Sequence, residues 1–374
     1  MKTHGTTLLF LTLICNISLS QELSDTNHLS IIFCGDIMGH DSQIKASYNV
    51  NTNTYNYDTS FSLVADYISQ ADIAIGNLEV TLAGQPYKGY PQFSSPDDLA
   101  WALKRAGFDI LVTANNHGLD RGTQGLVRTI EVLDSLEFLR AGTYRDTAER
   151  YTMHPLIFEK NNIRIALLNY TYGTNGLVVK PPYIINRIDT AMIAYEIRKA
   201  RKAMADFIVV FIHWGNEYER NENAVQKKLA NFIFMKGADA IIGSHPHVVQ
   251  PVKSIYLPGD PLTSYPVVYS LGNFISNQRE RYTDGGIIAG LYLTKIDSIT
   301  VLDSLDYMPY GVWRDDQPTG STFHILPVSR YEADTMIHSK MKQADIDRLK
   351  TFATDVRKHL EGVKESRFYR RKEE

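Results

Sequence analysis

Cysteine is scarce in this chain of 374 residues, which contains only Cys15 and Cys34. Cys15 belongs to an N-terminal apolar run, so a chain that has lost this run keeps a single cysteine and has no internal disulfide. A CxxC pair is absent, which excludes the thioredoxin-type redox motif. Stability is therefore expected to come from a packed core and from any bound metal.

Several common sequence signatures of other protein classes are also missing. The sequence has no internal repeat, no glycine-rich phosphate loop and no GxSxG turn, so nothing indicates a repeat protein, a P-loop NTPase or a serine hydrolase of the α/β type. Charge of one sign is not in large excess, because the formal net charge is −3. This balance argues against a nucleic-acid binder that is held by bulk electrostatics.

The apolar run at the N-terminus is short. Residues 8–19 follow Lys2 and end in Ser18-Leu19-Ser20, directly before Gln21. A helix that spans a bilayer needs about 20 apolar residues, so this run is typical of a secretory signal with small residues near its cleavage point. We predict a signal peptide over residues 1–20 and export to the periplasm, the cell envelope or the extracellular space.

Five apolar runs elsewhere in the chain each lead into polar residues that can bind metal or carry protons. They read IIFCGDIMGH (31–40), DIAIGNLE (72–79), DILVTANNHGLD (109–120), FIVVFIHWGNE (207–217) and AIIGSHPHVVQPV (240–252). Each is typical of a short strand, and in open α/β sheets ligands bind at the carboxyl ends of the strands. The pattern therefore predicts one shared metal site that includes Asp36, His40, Glu79, Asn116, His117, His213, His245 and His247.

Each of these residues also has a structural interpretation without metal. Asp36 follows a glycine, where a turn aspartate is common, and Glu79 taken alone resembles a surface acid. His245 and His247 flank a proline on a loop and are equally compatible with solvated side chains. His117 is free to donate a proton, and Asp120 is expected either to orient its ring or to cap a helix.

A further set of candidates lies at or directly after the end of the run at residues 207–217 and after a later predicted strand at residues 265–271. Glu217 and Tyr218 are placed to contact a substrate or to cap the next helix. Asn273 is expected to support the metal site beside the substrate. Arg279 and Arg281 are candidate ligands for a phosphate or carboxylate group, because arginine binds both bidentately.

The ordered segments GDIMGH, NLE, NNHGLD, HWGNEY, GSHPHVVQ and YSLGNF resemble the CapA family of capsule and poly-γ-glutamate synthesis proteins, which is similar to the calcineurin-like metallophosphoesterases. The resemblance covers residues 29–274. It implies an α/β protein with a metallophosphoesterase-like four-layer α-β-β-α sandwich of two packed sheets. We expect this domain over residues 29–330 and a helical tail over residues 331–374.

The resemblance also implies a centre with two divalent ions, of manganese, iron or zinc. One ion would be held by Asp36, His40 and His247, the other by Asn116, His213 and His245, and Glu79 would bridge them. Two features depart from the phosphoesterase pattern: Asp36 and His40 are four positions apart instead of two, and Glu79 stands where an aspartate is expected.

Together these observations predict metal-dependent hydrolysis of a phosphoester or related bond during the synthesis of an extracellular polymer, with His117 protonating the leaving group. The expected partners are an anionic polymer or a phosphorylated precursor and membrane proteins of polymer synthesis, with no nucleic acid. Two alternatives are a non-catalytic assembly or export component that holds an anionic polymer such as poly-γ-glutamate, and a metal-dependent amide hydrolase or transferase.

Local patterns give further expectations for individual elements. Residues 59–70 are predicted to form one helix with Phe61, Val64 and Ile68 on its inner face. A second helix is predicted to begin with Ser95 as its cap and Pro96 at its first position. A hairpin is expected about Asn161-Asn162, since this pair tolerates the left-handed backbone of a tight turn.

Overall fold

The computed structural model describes residues 26–318 and 320–366. The predicted signal peptide over residues 1–20, with Cys15, and the last residues of the predicted tail lie outside this part of the chain. Within it, no helix is both long and apolar enough to cross a membrane.

Both strands and helices occur throughout this part of the chain. The strands are β1 (Thr26–Ile37), β2 (Tyr48–Asn49), β3 (Thr54–Tyr55), β4 (Ile73–Leu78), β5 (Ile110–Val112), β6 (Leu139–Ala141), β7 (Thr143–Tyr144), β8 (Leu156–Lys160), β9 (Ile163–Thr171), β10 (Ile184–Ile185), β11 (Phe207–His213), β12 (Ala240–Ser244), β13 (Val252–Leu257), β14 (Asp260–Val268), β15 (Asn273–Ile275), β16 (Gly285–Ile296), β17 (Ile299–Gln317), β18 (Gly320–Pro327) and β19 (Lys364–Glu365). The helices are α1 (Asp41–Ser47), α2 (Asp58–Phe61), α3 (Ala65–Ile68), α4 (Asp98–Arg105), α5 (Gly122–Ser135), α6 (Thr147–Met153), α7 (Thr190–Lys202), α8 (Ala224–Met235), α9 (Val328–Ala333), α10 (Thr335–His338) and α11 (Gln343–His359).

Two large mixed sheets carry most of the strands. The first has the order β18-β17-β16-β1-β4-β5-β6, with β15 paired to β1 and β19 to β17. Its strands β1, β4, β5 and β6 run parallel, whereas β16, β17 and β18 add an antiparallel part. The second sheet has the order β13-β14-β12-β11-β9-β8 and is parallel from β14 to β9.

The two sheets pack face to face, and helices cover their outer faces. Alternate residues of β11 show this arrangement: Val209 and Phe211 join the core between the sheets, while Ile208 and Val210 face the core under helices α7 and α8. Every residue of β11 is buried, as expected for a strand covered on both sides. Helices α2 to α5 cover the outer face of the first sheet. The predicted four-layer α-β-β-α sandwich is therefore confirmed.

The hairpin prediction is confirmed, but two helix predictions were inaccurate. Strands β8 and β9 pair antiparallel about Asn161 and Asn162, which both have positive φ. Residues 59–70 form two short helices, α2 and α3, although the predicted inner residues are buried. Helix α4 starts at Asp98 and not near Ser95, because the chain there is still paired in an extended conformation: the Ser95 amide donates to the Thr81 carbonyl at 2.9 Å.

The C-terminal residues pack onto the first sheet. Helix α11 places Phe352 and Val356 in the core between the sheets, and Leu360 joins them directly after the helix. Strand β19 adds a parallel strand beside β17. The predicted boundary between residues 330 and 331 falls inside helix α9.

Candidate metal centre

Side chains that follow five parallel strands converge between the two sheets. They are Asp36 near the end of β1, Glu79 after β4, Asn116 and His117 after β5, His213 at the end of β11, and His245 and His247 after β12. All of them are at least 97% buried, with exposed fractions from 0% to 3%. The shared edge follows from the parallel order, because parallel strands end on the same side of a sheet.

Asp36 and Asn273 hold the ring of His247 from one side. The parallel pairing of β1 with β15 places Asp36 beside Asn273, and each contributes a side-chain oxygen 3.1 Å from His247 Nδ1. The Asn273 amide nitrogen donates to Gln278 Oε1 and to the Thr283 carbonyl, both at 2.9 Å, which fixes its orientation. These contacts engage Nδ1 and leave Nε2 of His247 directed at the cluster.

Glu79 occupies the middle of the cluster. Its Oε1 lies 3.5 Å from His213 Nε2 and 4.0 Å from His247 Nε2. Two groups of three residues, Glu79 with His245 and His247, and Asp36 with Glu79 and His213, each have ligand atoms within 4.8 Å of one another. Glu79 is common to both groups.

His213 is held by groups from both sheets. Its Nε2 lies 2.8 Å from Asn116 Oδ1, and its Nδ1 lies 2.9 Å from the hydroxyl of Ser244. Ser244 stands opposite His213 in the parallel pairing of β11 with β12. The ring is therefore fixed on both edges, and its Nε2 faces the same space as Glu79.

His245 and His247 lie on a strained loop. Their φ angles are 100° and 58°, a left-handed conformation that residues other than glycine rarely adopt. The backbone amide of His245 donates to Asp36 Oδ2 at 3.3 Å, which ties the loop to the opposite sheet. Strain of this kind persists where the surrounding structure imposes it, and it is frequent at functional sites.

Burial controls the electrostatics of the cluster. Burial, and then the neighbouring charge of Asp36, raises the pKa of Glu79 well above its ordinary value. Burial, and then the nearby imidazoles, lowers the pKa of His213, and the same causes lower the pKa of His245 to about 3. His213 and His245 are thus held neutral, which is the form that binds metal.

The residues present fit a divalent transition metal. Both carboxylate oxygens of Glu79 and Nδ1 of His245 are buried and have no hydrogen-bond partner within residues 26–318 and 320–366. A buried carboxylate without a partner is unfavourable by several kcal/mol, whereas a cation beside it removes this cost. Carboxylate, imidazole and amide oxygen donors together suit manganese, iron or zinc.

His117 and Asp120 form a separate pair at the edge of the cluster. His117 Nδ1 lies 2.8 Å from Asp120 Oδ2, and the same oxygen accepts the backbone amide of Phe93 at 2.7 Å. The ring of Phe93 packs edge-on against His117 with centroids 4.7 Å apart. Asp120 therefore holds one edge of the imidazole and is not the cap of α5, whose first residue follows Arg121.

His40 lies near the cluster but belongs to neither ligand group. Its Nδ1 lies 3.1 Å from Gln43 Oε1 and 3.2 Å from the backbone nitrogen of Asn277. Burial lowers the pKa of His40 to about 4, and the charges of His247 and His117 add to this shift. The structure thus keeps His40 neutral beside the metal ligands, with its Nδ1 engaged by other residues.

Glu217 and Tyr218 line the opening of the cluster. Tyr218 is 55% exposed, and its ring lies 6.1 Å from that of His247. The backbone amide of Tyr218 donates to the Pro246 carbonyl at 2.8 Å, which joins this loop to the strained histidine loop. Glu217 is exposed beside it and raises the pKa of Tyr172 and of Tyr218, in each case after burial.

Arg279 and Arg281 contact the C-terminal part of the chain and not the metal ligands. Arg279 donates to the Val312 carbonyl at 2.9 Å. Arg281 forms a bidentate pair with Asp355 of helix α11, with both distances 3.0 Å. These two arginines are therefore occupied by internal partners.

Sequence reasoning missed three residues that shape the cluster. Asn77 donates to Asp36 Oδ1 at 2.8 Å and lies 3.3 Å from His213 Nδ1. Ser244 holds His213, and Tyr172 stacks on the same ring with centroids 6.2 Å apart. The sequence contained one signal for Asn77, which is a polar residue inside a fully buried strand. Such a side chain needs a hydrogen-bond partner.

Comparison with known proteins places the chain beside capsule proteins. The family model described as bacterial capsule synthesis protein PGA_cap matches residues 30–278. The capsule biosynthesis protein CapA of Bacillus anthracis is 28% identical over 305 residues, which covers 77% of this chain and 68% of that protein. The PGA biosynthesis protein CapA of Bacillus subtilis (strain 168) is 29% identical over 302 residues, which covers 77% of this chain and 74% of that protein.

Among solved structures, the NAD nucleotidase NadN of Haemophilus influenzae aligns with a TM-score of 0.50. The alignment covers 92% of this chain and 58% of the nucleotidase, at 12% identity. At that identity the likeness shows a shared fold alone.

Proposed function

The chain belongs to the family of bacterial capsule synthesis proteins that the PGA_cap model describes, and from this premise we propose that it is a metal-dependent hydrolase of a phosphoester in the synthesis of a cell-envelope polymer. Its candidate partners are an anionic polymer or a phosphorylated precursor and the membrane proteins that make the polymer. The predicted signal peptide is the basis for proposing that it acts after export.

The observation that carries this proposal is the environment of the Glu79 carboxylate. Its carboxylate is fully buried, has no hydrogen-bond donor among the described residues, and lies within 4.0 Å of nitrogen atoms of His213 and His247. Since protonation or a cation must compensate such a group, and imidazole nitrogens that can bind metal lie beside it, a pair of divalent cations is the best chemical fit.

Bound divalent ions in such a centre activate water and stabilise charge on the phosphoryl oxygens. The chain contributes the geometry. Asp36, through its contacts with Asn77 and the His245 amide, fixes the ligand loop relative to the first sheet. Asp120 holds Nδ1 of His117, so that Nε2 is the atom from which a proton passes to the leaving oxygen.

The non-catalytic alternative, in which the chain holds an anionic polymer through its arginines, has less support. Arg281 pairs with Asp355, and Arg279 donates to a backbone carbonyl. No lysine or arginine side chain of residues 26–318 and 320–366 forms an ion pair with a residue of the two ligand groups. Amide hydrolysis at the same centre remains a second reaction to assay.

Replacing Glu79 by glutamine tests the proposal. Purified wild-type protein should contain manganese, iron or zinc by elemental analysis and should hydrolyse p-nitrophenyl phosphate or its bis-ester. Glu79→Gln should lose metal and activity together.

Glu196→Gln is the matched control for this experiment. Glu196 is also a buried acid, with an exposed fraction of 2%, but it is paired with Arg150 at 2.5 Å and His154 at 3.1 Å. Its variant should lose stability and keep the metal. Wild-type protein that holds no transition metal, or that hydrolyses no phosphoester when loaded, would refute the proposal.

A further inference from the structure

A groove of about 680 Å³ opens beside the candidate metal centre. It is formed by the segment between β9 and α7, and its apolar walls are Tyr172, Leu177, Val178, Val179, Tyr183 and Ile185. Its size is within the roughly 300–1,000 Å³ that is usual for small-molecule sites.

One end of the groove is the wall of the metal centre itself. The Tyr172 ring lies 4.5 Å from that of His245 and stacks on His213 with an angle of 8° between their planes. Asn175, also on the groove, accepts a hydrogen bond from the amide of Asn116 at 3.3 Å. A ligand that contacts the candidate metal ligands with one end can therefore extend directly into the groove with the other.

Some polar groups of the groove are bonded within the protein. The Thr174 hydroxyl donates to the Leu177 carbonyl at 2.7 Å, and the Arg187 guanidinium donates to the Tyr172 carbonyl at 3.3 Å. The side-chain oxygen of Asn175 accepts from Asn116. Apolar atoms make up the larger part of the exposed surface of the groove, which favours an occupant with an apolar chain.

The apolar wall is supported from beneath and exposed at its rim. Leu177, Val179 and Tyr183 pack against the small core that contains Leu119 and Ile185. Val178, in contrast, is 79% exposed. Covering this exposed apolar rim with an apolar ligand is favourable, because it removes the rim from water. An open groove accommodates an extended chain better than a ring, which requires enclosing walls.

We propose that this groove binds the linear apolar chain of the alcohol part of a phosphate ester, whose phosphate lies at the metal centre. The substrate class is thus an amphiphilic phosphate with a long-chain alcohol. This inference rests on the proposed function, because it assigns to the metal centre the phosphate end of the same ligand.

The test uses alkylphosphonates, which carry the same head group but cannot be hydrolysed as esters. Binding of ethyl, butyl, hexyl and octyl phosphonate to the manganese-loaded full chain is measured by isothermal titration calorimetry. Each methylene that is fully buried in the groove lowers Kd by about fourfold. Octyl phosphonate has several more methylenes than ethyl phosphonate, so it should bind at least about tenfold more tightly even where burial is incomplete.

Val178→Asp should remove this dependence on chain length, because it places a charged group on the apolar wall. Val50→Asp is the matched control, because Val50 is 77% exposed and lies outside this groove. It should keep the full dependence. Since both positions are exposed, neither substitution is expected to impair folding.

Hydrolysis of ethyl and octyl phosphate is measured in parallel to separate this inference from the proposed function. Hydrolysis of both esters without a chain-length effect on binding would overturn the groove assignment and leave the hydrolase intact. Chain-length-dependent binding that Val178→Asp abolishes, without hydrolysis of either ester, would support the groove and refute the hydrolase. Benzyl phosphonate binding as tightly as octyl phosphonate, or no phosphonate binding at all, would overturn the inference.

Discussion

The side-chain amide nitrogen of Asn77 donates a hydrogen bond of 2.8 Å to Asp36 Oδ1. The same nitrogen lies 3.3 Å from both His213 Nδ1 and the Ser244 hydroxyl, which belong to the other sheet. Its oxygen accepts the Asn115 amide at 3.1 Å. Asn77 therefore joins the ligands of the first sheet to those of the second.

Asn77→Ala should lower metal affinity by about 10- to 100-fold, the usual effect of removing a group that orients metal ligands. Titration calorimetry with manganese on metal-free protein measures this change. Asn186→Ala is the control: Asn186 is equally buried and hydrogen-bonded to Arg150, but it contacts no metal ligand candidate. If both variants bind manganese like wild type, Asn77 has only a structural role.

His117→Ala should retain bound metal, because His117 belongs to neither ligand group. It should lose activity, because the proposed proton donor is removed. Loss of a general acid typically lowers kcat by 10²- to 10⁴-fold. The decrease should be large for an alkyl phosphate and much smaller for p-nitrophenyl phosphate, whose leaving group departs without a proton. Rates for both esters, with metal content, check this prediction.

Asp120→Asn should give an intermediate loss with the same preference for the better leaving group, because the amide still holds the ring of His117 but no longer carries a charge. A His117 variant that is impaired equally on both esters would contradict the role of proton donor.

The candidate ligands could be selected from the sequence because each follows an apolar run that is typical of a buried strand. The runs before Asp36, His213 and His245 are rich in isoleucine, valine and phenylalanine, and a metal-binding residue at the end of such a run calls for an explanation. The order of the strands could not be read from the chain. Asn77 was missed for this reason: three of its partners lie 41, 136 and 167 positions away.

Local signals failed where tertiary contacts overrode them. Ser95 and Pro96 resemble a helix start, but Ser94 is already paired in extended bridges with Thr81 and Lys88. Helix α4 therefore begins only at Asp98. The spacing of Arg279 and Arg281 gave no sign of Asp355, which helix α11 supplies as the partner of Arg281, and their contact with a substrate stays a prediction.

Gly243→Ala should destabilise the protein and weaken metal binding, because β12 leaves no room for a side chain at this position. A Cβ atom there would lie 2.1 Å from the Tyr269 carbonyl oxygen and 2.6 Å from Trp214 Nε1. Overpacking of this kind costs about 1–3 kcal/mol, and the resulting shift would propagate to His245, two residues further on. Urea unfolding and manganese titration measure the two effects.

Gly173→Ala is the matched control, since a Cβ atom at Gly173 has no neighbour within 4 Å. Its free energy of unfolding should stay within about 0.5 kcal/mol of wild type. Equal stability of the two variants would show that β12 and its neighbours move apart without cost.

His154 should make the stability of the protein depend on pH independently of the metal centre. Its side chain is fully buried, with Nε2 3.1 Å from Glu196 Oε2 and Nδ1 3.1 Å from the Tyr144 hydroxyl. Burial lowers the pKa of His154 below its ordinary value of 6.5, although Glu196 opposes this shift.

Because the unfolded chain takes up a proton at His154 near pH 6.5 and the folded chain resists it, this stabilisation is complete above pH 6.5. It is lost as the pH falls from 6.5 towards the lower pKa of the folded state, by at most about 1.4 kcal/mol per pH unit for one proton. Urea unfolding of wild type between pH 7.5 and 5 should therefore show a steeper loss than that of His154→Gln, which cannot titrate. Tyr144→Phe removes a hydrogen-bond partner and keeps the imidazole, so it should lower the free energy of unfolding at every pH without changing the slope. Parallel curves for wild type and His154→Gln would mean that His154 takes up no proton on unfolding in this range.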